Sequence, residues 1–275
     1  MSKHSGDDLC GKFTPGTYAS VDVSQTKEKG VAICVLTVTP EEKIAIKYFH
    51  QPFLSSDTSR AEVARMVGLW PVELRSCRCY SVDSPLWYAR KQGGRSIDLR
   101  STWNDLGFGD YLNNAPQHAP TVAEAQDDKK RWIAIGMWFA DELRGIGKQV
   151  FEVYPTPSFN ALHLWQASGI PVTDWFGEEP DGYTLRAEDG SEELSLRFLK
   201  RLKDCAEYGG RRTRFRKLSV WPYPDLWDAF GGAVTSLLFD SNLTENVEAP
   251  DALAEGRIVV PMRLTTLQSK RLLSS

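Results

Sequence analysis

The stretch YASVDVSQTKEKGVAICVL, residues 18–36, poses the first problem. Within it ASVDVS alternates small or polar residues with valines, which predicts a strand carrying Asp22 on the face opposite Val21 and Val23. On a half-buried strand that carboxylate is costly unless it is paired, hydrogen-bonded or bound to a metal. Either Asp22 is solvated near a strand end, or something positive sits against it.

Reading outward, VAICVLTV and KIAIKYFH follow as strands, and the TPEE between them suits a hairpin turn, so three strands form a meander. TSRAEVARMVGLW has helical spacing and ends at Pro71, and CRCYSVDSP reads as a strand that stops at Asp83 before Ser84 and Pro85. RWIAIGMWFADELRGI is an apolar helix, QVFEVYP a strand, PSFNALHLWQAS a helix, DLWDAFGGAVTSLLF a largely apolar helix and GRIVVP a short closing strand. EELSLRFLKRLKDCAEY between them is amphipathic, and no internal repeat is visible. A meander followed by alternating helices and strands predicts an α/β domain whose mixed sheet has the meander on one side and later strands adding in parallel. Residues 1–17 read as a polar tail, and 18–275 as a single domain with aperiodic insertions at about 88–130 and 169–190. In open α/β sheets ligands gather at the carboxyl ends of the strands.

The 275 residues suffice for a substantial core, and 41% hydrophobic with 25% charged residues is ordinary for a globular chain. The sequence shows no apolar run near the ~20 residues that span a bilayer, and MSKHSGDDLCGKF lacks the apolar core of a signal peptide, so a cytoplasmic location away from membranes is expected. Five scattered cysteines suit free thiols, and with four dispersed histidines they offer no zinc site. QGGRS and FGGAV do not match a phosphate-binding loop. The formal net charge of -3 exerts no global pull on polyanions but permits a local basic patch.

Four short texts place carboxylates in or beside apolar structure: SVDVS with Asp22, YSVDSP with Asp83, FEVYP with Glu152, and PDLWDAF with Asp225 and Asp228. Each has a plain reading. Asp225 can cap its helix and Asp228 favour the positive end, Glu152 can be a solvated strand residue, and Asp83 a turn-former. Together they suggest one acidic site. Such a cluster repels itself unless divalent cations neutralise it, and its hard oxygens suit Mg²⁺ or Mn²⁺. RRTRFRKLSVWPYP, just before DLWDAF, joins Arg211, Arg212 and Arg214 to Phe215, Trp221 and Tyr223. It reads equally as a phosphate-tracking, base-stacking surface for nucleic acid and as a solvated basic loop whose aromatics belong to the core. In GGRSIDLR, Arg95 and Arg100 can hold a substrate phosphate or form a surface ion pair.

The order of SVDVS, YSVDSPL, GGRSID, FEVYP, DLWDAF and EGRIVVP resembles an uncharacterised family of predicted RNase H-like nucleases, within the wider retroviral-integrase-like superfamily. The resemblance runs from about Tyr18 to Pro261. It implies an RNase H-like fold with a central five-stranded sheet, three antiparallel strands and then parallel ones. It further implies a metal-dependent nuclease with two ions, Asp22 on the first strand, Asp83 ending the fourth, and Asp225 and Asp228 on a late helix similar to that of Holliday-junction resolvases. Glu152 matches a glutamate of the family's own pattern. Two departures accompany it. Asp83 stands where resolvases usually carry glutamate, and Arg95 and Asp98 fit the family's arginine–aspartate pattern only loosely. A catalytically inactive RNase H-like module that binds nucleic acid or protein is the alternative; an actin-like or sugar-kinase-like ATPase fits less well, for want of phosphate loops.

Overall fold

The computed structural model describes residues 13–23, 30–39, 44–51, 58–90, 92–112, 118–126, 130–176, 181–184, 193–195, 224–248 and 256–274. In chain order the elements are β1 (Gly16–Val23), β2 (Val31–Val38), β3 (Ile44–Gln51), α1 (Arg60–Gly68), α2 (Val72–Arg75) and β4 (Cys79–Asp83), followed by α3 (Arg100–Asp105), α4 (Arg131–Gly145), β5 (Gln149–Val153) and α5 (Pro155–Ala167). After these come β6 (Asp181–Thr184), β7 (Glu193–Ser195), α6 (Pro224–Asp240), β8 (Thr244–Glu248), β9 (Arg257–Pro261) and α7 (Leu264–Ser274).

The meander is antiparallel, with Gly16 opposite Val38 and Val23 opposite Val31 between β1 and β2, and Val31 opposite Gln51 between β2 and β3. Valine and isoleucine dominate these strands because branched side chains pack well on a pleated, covered surface. The connection from β3 to β4 carries α1, whose N-terminus is capped by Ser59 accepting the Glu62 N–H at 3.2 Å. β4 then lies parallel to β1, and β5 parallel to β4. The order β3-β2-β1-β4-β5 forms the middle of the sheet, which is wider than the expected five strands. Among the described residues it has nine, in the order β7-β6-β3-β2-β1-β4-β5-β9-β8.

β1 is central, and both of its faces are covered. Val21 and Val23 pack with Val63, Met66 and Phe139 of α1 and α4, while Tyr18 joins Phe230, Val234 and Leu237 of α6 on the opposite face. The half-buried strand expected around Asp22 is therefore corrected: from Tyr18 to Val23 every residue is buried. Parallel neighbours on one side and helices on both faces account for this.

Three further expectations change. GRIVVP does not close the sheet, because β9 lies between β5 and the antiparallel β8. Glu193–Ser195, the start of the amphipathic stretch, is a strand against β6. The described part of the 88–130 segment is no solvent loop: Ile97, Trp103, Phe108, Tyr111 and Leu112 are buried with Val247 of β8 and Ile258 and Val260 of β9. Aromatic spacing without helical or strand period hid this packing. Cys34, Cys77 and Cys79 are free and buried, and burial pushes the Cys77 and Cys79 thiols up to about 11 and about 12, so they remain protonated near neutrality.

Candidate metal centre

The site begins with a repeated text. Ser20-Val21-Asp22 on β1 and Ser81-Val82-Asp83 on β4 lie side by side in parallel register, residue against residue. Both aspartates therefore stand at the carboxyl ends of adjacent strands and point to the same face, as do the two serines behind them.

That face is covered by α6. Residues 228, 232 and 236 are spaced by four and share one side of this helix. At position 232 a side chain has no room: a Cβ would lie 2.1 Å from Ser20 Oγ and 2.9 Å from Ser81 Oγ. Glycine lets the helix descend onto the two serines. Ser236 Oγ donates to the Ala19 carbonyl at 2.9 Å, and Asp240 accepts from the Tyr18 hydroxyl at 3.0 Å and from Arg78 Nε at 3.1 Å. Anchored at its far end and seated close in the middle, α6 runs antiparallel to β1 and delivers Asp228 above Asp22 and Asp83.

One oxygen from each of Asp22, Asp83 and Asp228 lies within 4.8 Å of the other two. Asp22 and Asp228 are 6% exposed, while Asp83 is half-buried, so the cluster is most accessible on the Asp83 side. Like charges this close raise one another's cost of ionisation unless a cation joins them. Three carboxylate oxygens at this spacing could hold a metal ion.

No family model, curated protein or solved structure matches the chain.

Glu152 is not part of the cluster. The β4–β5 register sets it opposite Val82, one residue out of phase with Asp83, so it points to the other face of the sheet. There it is 2% exposed and bonded to a cation of the chain itself: Arg95 Nη1 donates to Oε2 at 2.8 Å and Nη2 to Oε1 at 2.5 Å. The Leu86 N–H adds a third hydrogen bond, at 2.9 Å. Burial pushes the Glu152 carboxyl up, and the guanidinium opposes that shift.

Arg95 is corrected in turn. It is 2% exposed and held between Glu152 and Asp98, with Nη2 donating to Asp98 Oδ1 at 2.8 Å, so its fork is committed within the protein rather than open to a substrate phosphate. Arg100 opens α3 as an exposed residue, with Nη2 3.5 Å from the Leu112 carbonyl. Asp225 lies in the first turn of α6, half-buried, and is not one of the three clustered carboxylates. Arg211, Arg212 and Arg214 fall outside the described residues. Sequence reasoning passed over Gly232, Ser20 and Ser81. A Gly-Gly pair inside an apolar helix and the doubled SVD text were the available signals.

Proposed function

We propose that the chain is an RNase H-like nuclease, a divalent-metal-dependent phosphodiesterase acting on nucleic acid, with Asp22, Asp83 and Asp228 as its metal ligands. The observation that carries the reading is the in-register pair Asp22 and Asp83 at the ends of adjacent parallel strands, joined by Asp228 from a helix seated on the same face. The antiparallel meander followed by parallel β4 and β5 supports the RNase H-like assignment. The basic and aromatic text preceding α6 supports a polyanionic substrate.

Asp22, Asp83 and Asp228 would hold Mg²⁺ or Mn²⁺, two ions in this reading, and the bound metal would supply Lewis-acid polarisation of a phosphoryl oxygen and an activated water. Asp22, on the strand adjacent to that of Asp83, would be the ligand shared between the bound ions. Asp228 closes the buried side. Asp83, the more exposed member, holds the ligand position nearest an incoming phosphodiester. Arg100 and the basic stretch of Arg211, Arg212 and Arg214 are proposed to bind the phosphate backbone.

The test is cleavage of labelled single-stranded, duplex and branched DNA and RNA in Mg²⁺, Mn²⁺, Ca²⁺ and chelator. Cleavage in Mg²⁺ or Mn²⁺, lost in chelator, is the expected result. Stoichiometric binding without cleavage under all conditions would replace the nuclease with the inactive binding module, and neither binding nor cleavage would remove nucleic acid as the partner.

A further inference from the structure

On the sheet face opposite the aspartates, Arg95 is enclosed by two carboxylates. Its Nε and Nη2 donate to Asp98 Oδ1 at 3.1 and 2.8 Å, and its Nη1 and Nη2 to Glu152 as described. Asp98 Oδ2 accepts the Arg95 N–H at 2.8 Å and the Ala119 N–H at 2.9 Å. Side-chain exposure is 1% for Arg95, 0% for Asp98 and 3% for Glu152. A buried ion network of this kind is often no more stabilising than apolar residues of the same volume, so its value lies in the geometry it imposes.

The geometry concerns the chain leaving β4. Glu152 Oε2 accepts the Leu86 N–H, three residues after Asp83, and Pro85 between them has a fixed φ that stiffens the connection. The same short segment is held on two other sides. Ser84 Oγ reaches the Ile133 carbonyl of α4 at 3.3 Å, and Gly136 of α4 comes so close that a Cβ there would lie 2.5 Å from Ser84 Cβ. The Trp87 ring lies over Gly256, where a Cβ would come within 2.3 Å of the indole at a φ of +76°. Of these three restraints, the bond to Glu152 is the one in which a buried carboxylate holds a backbone N–H of the segment, and it is shorter than the Ser84 hydrogen bond.

We infer that Glu152, Arg95 and Asp98 are positioning residues for Asp83: the network fixes Leu86 and thereby sets how Asp83 meets Asp22 and Asp228. This rests on the metal-binding reading of those aspartates. Arg95 locks the Glu152 carboxylate in one orientation, Asp98 locks Arg95, and the carboxylate in turn holds the turn that carries a metal ligand. The relation is that of an outer partner to a ligand, acting through backbone rather than through the ligand's own side chain.

The experiment is calorimetric Mn²⁺ titration, with electron paramagnetic resonance of the bound ion, of wild type, Glu152→Gln and Asp22→Asn at a temperature where each is folded. Glu152→Gln keeps the shape and weakens the lock on Leu86, and Mn²⁺ affinity is expected to fall about tenfold, with a changed spectrum for the ion that remains. A network that only stabilises the fold would lower the melting temperature of Glu152→Gln and leave affinity and spectrum unchanged, which would overturn the inference. If Glu152→Gln does not fold, Arg95→Lys, which keeps a cation between the carboxylates without the fork, carries the same test. Failure of the metal reading looks different: wild type itself would bind no Mn²⁺, and this inference would fall with it.

Discussion

Two groups of acidic side chains occupy opposite faces of one sheet and differ in the neighbours they are gathered with. On one face Glu152 and Asp98 share the Arg95 guanidinium, so each buried negative charge is answered by a cation of the chain. On the other, Asp22, Asp83 and Asp228 bring three oxygens within 4.8 Å of one another, gathering like charges. Asp22 and Asp83 of one group and Glu152 of the other all stand beside valines at or near strand ends, and on paper they look alike. The difference teaches that a buried carboxylate's role depends on what its neighbours supply: a guanidinium fork makes a strut, and a converging set of carboxylates makes a group that could hold a metal ion.

The comparison breaks most sharply under substitution. Asp22→Asn is expected to lower Mn²⁺-dependent phosphodiester cleavage by about 10³-fold or more, because loss of several kcal/mol of transition-state charge stabilisation is at stake. The metal-free variant should melt at or above the wild-type temperature, since one member of a like-charged set is gone. A large loss of stability in the metal-free variant would make Asp22 a structural group like Glu152. On the other face the sign reverses: Arg95→Ala leaves Glu152 and Asp98 buried without their cation, and denaturant unfolding should show a loss of about 3–5 kcal/mol.

Metal should divide the two groups as well. With Mn²⁺ at about 100 times its dissociation constant, stability should rise by about 2.7 kcal/mol in wild type, as a ligand bound only to the folded state requires. The gain should vanish in Asp22→Asn and persist, at higher metal concentration, in Glu152→Gln; a gain of equal size in Asp22→Asn would place the ion elsewhere. The smallest effect concerns the helix that closes the receptor. Gly232→Ala forces a methyl against Ser20 and Ser81 and should cost about 1–3 kcal/mol by overpacking, with weaker Mn²⁺ binding as α6 lifts Asp228 away from the strands. Unchanged Mn²⁺ binding would mean that the close seat at Gly232 serves packing alone.

The sequence alone determined much of this: the meander, β4, β5 and β9, the helices α1, α4, α5 and α6, and the placement of Asp22, Asp83 and Asp228 near element ends follow from local signals of alternation, helical spacing and proline stops, which act over a few residues. It also contained the doubled SVD, although its meaning depends on the two copies lying side by side. What only the tertiary structure decided is register and partnership. β5 pairs with β4 so that Glu152 sits beside Val82 rather than beside Asp83, and because side chains alternate with a period of two, that single residue moves the carboxylate to the other face. Arg95 reaches Glu152 across 57 positions of chain, and Gly232 meets Ser20 across more than two hundred. No local pattern specifies such meetings, because they are selected by how the whole sheet packs against its helices, where the fit of distant surfaces decides which carboxylates meet a guanidinium and which meet one another.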